Sequence, residues 1–132
     1  MKTYVLDASA LMTFFEDRGG ARTVEELLGK AAEAKSPLLM SVVNWGEVYY
    51  SVWRTRGEGV AGGKLREIAQ LPIEIVDADF ELTRRAASLK AVYGLPYAGC
   101  FAAALAESRK APLVTGDKDF ERIESLLKIV WL

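Results

Sequence analysis

Thr3-Tyr-Val-Leu-Asp7-Ala-Ser9 places four β-prone residues directly ahead of an acid, and a helical pattern through Leu11, Phe14 and Phe15 starts at Ser9. The stretch reads as a buried strand, Thr3 to Leu6, that ends at Asp7 and hands the chain to a helix. The same order recurs downstream. Leu38-Leu-Met-Ser41 precedes a long helical pattern from Val43 to Arg56, Pro72-Ile-Glu-Ile-Val76 precedes a helix from Asp79 to Tyr93, and Pro112-Leu-Val-Thr115 precedes a helical segment from Asp117 to Leu126. Lys128 to Trp131 is a terminal strand. Three more helices fill the gaps: Thr23 to Lys35, with Thr23 and Glu26 placed as a capping box; Lys64 to Gln70; and the alanine-dense Tyr97 to Lys110. Strands alternating with helices predict an α/β fold, a five-stranded, mostly parallel sheet sandwiched by helices. No repeat or linker interrupts it, so residues 1–132 are expected to form one domain.

Composition narrows the chemistry. The chain has 132 residues, 51% of them hydrophobic, one Cys and no His. Ser-His-Asp and Cys-His nucleophile pairs, His-ligated zinc and histidine acid/base catalysis are therefore excluded. The single Cys100 rules out an intrachain disulfide and a Cys-x-x-Cys pair, which suits a reducing, cytoplasmic setting. Hydrolytic chemistry must run on carboxylates, hydroxyls, lysine or a hard metal ion. With 17 Lys+Arg against 18 Asp+Glu there is no global pull toward polyanions, so a nucleic-acid contact needs a local basic patch. No apolar run approaches the roughly 20 residues that span a bilayer, and no membrane association is expected.

Acids at strand ends carry the functional signal, because ligands of open parallel sheets bind outside the carboxyl ends of the strands. Asp7 closes the first strand, Glu47 lies early in the helix after the second, and Asp117 follows the fourth. Asp7 and Asp117 are equally well placed as helix N-caps. Glu47 shares a helix face with Ser51 and Arg54, so an exposed ion pair with Arg54 is its bland alternative. Trp45, Tyr49 and Trp53 form the neighbouring stripe, suited to core packing or a dimer surface. Three acids at one end of a sheet repel one another unless a cation sits among them.

Val5-Leu-Asp7-Ala-Ser9-Ala10, Asn44-Trp-Gly-Glu47, Leu95-Pro-Tyr-Ala-Gly-Cys-Phe-Ala-Ala-Ala-Leu105 and Val114-Thr-Gly-Asp117-Lys-Asp119-Phe120, in that order, resemble the successive motifs of PIN-domain ribonucleases, specifically the VapC-type toxins of toxin–antitoxin pairs. The resemblance spans essentially the whole chain. It implies a five-stranded parallel sheet, a Mg²⁺ or Mn²⁺ site built from acids, endonucleolytic RNA cleavage, restraint by a cognate antitoxin, and homodimerisation. By motif, Asp7 would be the first metal carboxylate, Glu47 the second acid and Asp117 the fourth. Thr115 would be a supporting hydroxyl and Ser9 a hydroxyl donor behind the acids. Asp119 would either assist the site or favour the start of the following helix by its charge.

The family's third acid belongs at position 99, where this chain has Gly99. Glycine early in an alanine-rich helix costs about 1 kcal/mol relative to alanine, so propensity offers no reason for it. An engineered change that disarms a toxin, natural loss of the site, and a close packing contact each explain it. Losing a carboxylate weakens Mg²⁺ binding, and the chain as written is expected to fold and be nearly inactive. The competing function class is a non-catalytic protein of the same fold that acts through antitoxin or RNA contacts.

Other features carry less. Gly57-Glu-Gly59-Val-Ala-Gly62 matches a dinucleotide fingerprint but follows a helical pattern instead of a strand, so it reads as a flexible interhelical loop. Cys100 reads as a buried thiol. Arg84, Arg85, Lys90, Arg109 and Lys110 form a basic stretch that suits either an RNA backbone or solvated helix faces. Arg54 and Lys118, beside predicted site residues, are the better phosphate candidates.

Overall fold

The computed structural model describes residues 3–132. β1 (Val5–Leu6) is followed by α1 (Ala8–Phe15) and α2 (Ala21–Ala34), and β2 (Leu38–Ser41) by α3 (Val42–Arg56) and α4 (Glu58–Gln70). Next come β3 (Ile73–Val76), α5 (Phe80–Tyr93), α6 (Tyr97–Arg109), β4 (Leu113–Thr115), a 3₁₀ helix (Lys118–Ile123) and β5 (Ile129–Trp131). All five strands are parallel, in the order β3-β2-β1-β4-β5.

Successive strand side chains point to opposite faces, and the core divides accordingly. Val5, Leu39 and Leu113 join α5, α6 and the 3₁₀ helix on one face. Leu6, Leu38, Met40 and Val114 join α1 to α4 on the other. Both faces are covered, which is why the strands read as continuous apolar runs. Helix α6 is buried from Cys100 through Ala106, and its alanines let it lie close to the sheet and α5. Among the described residues no single helix is long and apolar enough to cross a membrane.

Several sequence expectations are corrected. The capping box does not form, because α2 starts at Ala21, two residues early, and Thr23 already lies inside it. Burial of Ala21 and Val24 draws the start forward, and Gly20, at φ 99°, makes the turn without a side-chain cap. The glycine-rich segment is helix, not loop: Gly59, Gly62 and Gly63 lie within α4, and Gly57 alone makes the turn, at φ 92°. Burial of Ala61 and Ile68 outweighs a helix penalty of about 1 kcal/mol per glycine. The segment after β4 is a short 3₁₀ helix instead of a helix to Leu126. Its three-residue repeat puts Phe120 and Ile123 on one buried face. Phe80, an apolar residue of α5, is 96% exposed. The buried face is Leu82, Ala86 and Leu89, at i, i+4 and i+7, and Phe80 precedes it in the first turn.

Candidate functional site

The strand order reverses between β1 and β4: β2 and β3 extend to one side and β5 to the other. Such a switch point opens a crevice at the carboxyl ends of the two central strands. Asp7 follows β1 there and Asp117 follows β4.

Asp7 is 5% exposed and satisfied on both oxygens. Its Oδ1 accepts from the Ala10 amide at 2.8 Å and from Ser9 Oγ at 2.7 Å, while Oδ2 accepts from Thr115 Oγ1 at 2.5 Å. The carboxylate that caps α1 thus also bonds Thr115 at the end of β4, so capping and a place at the strand ends coincide in this residue. Burial pushes its pKa up from 3.8 to about 6; the bonds from Thr115, Ser9 and Ala10 oppose that rise, and the charge of Asp117 adds to it.

Thr115 and Ser9 join the two strand ends. Their hydroxyls lie 3.1 Å apart, Ser9 Oγ accepts from the Gly116 amide at 3.1 Å, and Thr115 Oγ1 accepts from the Asp117 amide at 3.0 Å. Asp117 Oδ1 in turn accepts from the Asp119 amide at 2.9 Å, so Asp117 caps the 3₁₀ helix while standing beside Asp7. Asp119 lies in the first turn of that helix, where a negative charge is favoured, and its amide, not its carboxylate, is what ties it to Asp117.

Glu47 is held from the other side. Its Oε1 accepts from Asn44 Nδ2 at 2.9 Å, and the same nitrogen donates to the Ala98 carbonyl in the first turn of α6 at 3.0 Å. Burial raises the Glu47 pKa, the Asn44 bond lowers it, and the Asp117 charge raises it again. Asp117 thus stands close enough to both other acids to disfavour their ionisation. Asn44 is fully buried, and its Oδ1 lacks a hydrogen-bond partner. Asn44 opens the motif that ends at Glu47, whereas its bond to Ala98 had no sequence signal.

Gly99 follows Ala98 and closes the ring of elements. A Cβ built there would sit 3.2 Å from Cζ of Phe120, a ring 2% exposed in the 3₁₀ helix that Asp117 caps. The positions singled out by motif thus meet at one end of the sheet, and Phe120, the last residue of the fourth motif, packs against Gly99 of the third. Every donor gathered there is an oxygen, a set suited to a hard divalent cation. Among the described residues, however, no three acids are grouped closely enough to hold an ion as they stand.

The phosphate candidates differ. Lys118 is exposed directly beside Asp117; Arg54 is exposed in the last turn of α3, where the helix dipole alone would favour a cation. Within the basic stretch, Arg84 and Arg85 form helix-surface ion pairs, 2.7 Å and 3.3 Å from Glu81. Trp45 and Tyr49 are partly buried against the core and Trp53 is 44% exposed, with ring centroids 6.3 and 5.5 Å apart along the stripe. Cys100 is a buried thiol whose Sγ donates to the Leu95 carbonyl at 3.7 Å, and burial pushes its pKa up.

Comparison with solved structures returns the same architecture. VapBC2 from Rickettsia felis, bound to a DNA fragment from its promoter, aligns at TM-score 0.76 with 20% identity over 98% of each chain. VapBC-5 from Mycobacterium tuberculosis aligns at 0.64 with 23% identity over 100% of each. VapC20 from Mycobacterium tuberculosis, a sarcin-ricin loop cleaving toxin, aligns at 0.69 with 13% identity over 90% of this chain and 93% of that one. A search of curated proteins returns no match. The strand order, the acids at the β1 and β4 ends, and a match to the PIN domain family over residues 4–126 agree, and the chain belongs to that family.

Proposed function

We propose that this chain is a VapC-type toxin: a Mg²⁺- or Mn²⁺-dependent endoribonuclease restrained by a cognate antitoxin, with activity weakened or lost through Gly99. The observation that carries the reading is the convergence at the β1 and β4 ends, where Thr115 bonds Asp7 and the charge of Asp117 bears on both Asp7 and Glu47. Asp7, Glu47 and Asp117 would hold the cation, which when bound activates water and offsets charge on the phosphate undergoing cleavage. The donor types fit, and the set is one carboxylate short at position 99.

The protein's own residues orient and tune this site. Thr115, Ser9 and the Ala10 amide fix the Asp7 carboxylate, and Asn44 aims that of Glu47. With a pKa of about 6, Asp7 is mostly ionised at pH 7. Lys118 and Arg54 would meet RNA phosphates. A homodimer, one domain over residues 1–132 and a cytoplasmic setting belong to the same reading, and the likeness to toxin–antitoxin structures supports the antitoxin.

Gly99→Asp tests it. The variant is expected to bind Mn²⁺ and cut single-stranded RNA, while the parent does neither appreciably; a folded variant that does neither overturns the nuclease reading. The Phe120 ring against Gly99 favours the second reading, a non-catalytic binding protein of the PIN fold. Under that reading the substitution changes packing and nothing else.

A further inference from the structure

Directly beside Asp117, a groove of about 310 Å³ opens at the carboxyl ends of β4 and β5, lined by Gly116, Lys118, Glu121, Glu124, Trp131 and Leu132. The strand register pairs Thr115 with Trp131, so the indole stands one strand away from the hydroxyl that holds Asp7. Trp131 is 38% exposed, and its Nε1–H is already donated to Glu124 Oε2 at 3.4 Å. An indole whose polar atom is satisfied and whose ring is open to solvent is a stacking surface, and every nucleobase offers a π face to stack. Ligand pockets run from roughly 300 to 1,000 Å³, so this groove suits one base and not a larger ligand.

Charge sorts the rest. Two carboxylates inside the groove disfavour a phosphate there, while Lys118 offers a cation where the groove meets Asp117. Glu124 is engaged by Trp131, whereas no ion pair or side-chain hydrogen bond among the described residues engages the Glu121 carboxylate. A carboxylate only accepts hydrogen bonds, so it favours a base edge that carries an amino group.

Resting on the ribonuclease reading above, we infer that this groove is a subsite for one base of single-stranded RNA. Trp131 stacks the base, Lys118 meets its phosphate, and Glu121 selects guanine, adenine or cytosine over uracil.

The test uses the parent chain without divalent metal and labelled pentaribonucleotides UUNUU, followed by fluorescence anisotropy. The parent should bind the three amino-bearing sequences several-fold tighter than UUUUU. Trp131→Leu should weaken all four on the order of tenfold. Glu121→Gln, at an exposed position, should lower the affinity for the three amino-bearing sequences by that several-fold margin, to the level of UUUUU; it also carries the test if Trp131→Leu fails to fold. Failure of the parent to bind any of the four, or parent-like affinity and preference in both folded variants, overturns the subsite. In the Gly99→Asp background, RNA cleavage insensitive to Trp131→Leu would remove the subsite and leave the nuclease. Trp131-dependent binding without cleavage would do the reverse.

Discussion

The ring of Phe120 occupies the space that a side chain at Gly99 would enter, with Cζ 3.2 Å from the Cβ position. That contact links the first turn of α6 to the 3₁₀ helix capped by Asp117, and it gives the glycine a packing role that helix propensity does not.

The contact predicts non-additive stability. Gly99→Ala alone should gain less than the helix-propensity difference of about 1 kcal/mol, because the methyl group presses on the ring. In a Phe120→Leu background, itself destabilised by cavity formation, the same change should recover most of that gain. Urea unfolding of the four proteins measures the coupling, and simple additivity would show that the contact has no energetic weight.

Asp7 makes stability depend on pH. Below pH 3.8 both folded and unfolded chains hold its proton. Between 3.8 and about 6 the folded state keeps a proton that the unfolded chain has released, so this contribution to stability falls as pH rises. The interval corresponds to about 3 kcal/mol, fully lost above pH 6. Asp7→Asn lacks the effect, so its stability relative to the parent should climb from pH 4 to pH 7; a difference constant with pH would contradict the raised pKa.

Thr115→Val removes the donor to Asp7 Oδ2 while nearly keeping side-chain shape. A buried carboxylate oxygen left without its partner costs about 1–3 kcal/mol. The loss should be larger at pH 7 than at pH 5, where Asp7 is mostly protonated, and Thr115→Ser should restore most of it. Thermal unfolding at the two pH values checks this.

Asn44→Leu removes both the bond to Glu47 and the bond to the Ala98 carbonyl, along with the unpartnered Oδ1. The Glu47 pKa, already raised by burial, should rise further once its lowering partner is gone. Carboxyl NMR titration reads this directly, and an unmoved Glu47 would show that Asn44 does not aim it.

Arg54→Ala should reduce the slope of log affinity for RNA against log salt by about 0.7–1 if the guanidinium meets one phosphate. An unchanged slope would leave Arg54 as a cation that merely suits the end of α3.

Much of the site was legible because caps and strand ends are local. Asp7 and Asp117, read as possible N-caps, each bond an amide two or three residues on. The errors arose where burial overruled local preference. Gly59 and Gly62 read as loop, but Ala61 and Ile68 are buried and draw the segment into a helix. Phe80 is apolar, yet at the first turn of α5 it lies off the face that packs.

By itself the sequence determined the alternation of strands and helices, the acids at strand ends and the exclusion of imidazole chemistry, because those depend on neighbours a few residues apart. Only the tertiary structure decided that β1 lies beside β4, so that Thr115 bonds Asp7 across 108 residues. It also decided that Asn44 reaches α6, that Phe120 covers Gly99 and that Trp131 stands beside Thr115. Those contacts form when the apolar faces of distant segments are buried together, and no local pattern records which segments will meet.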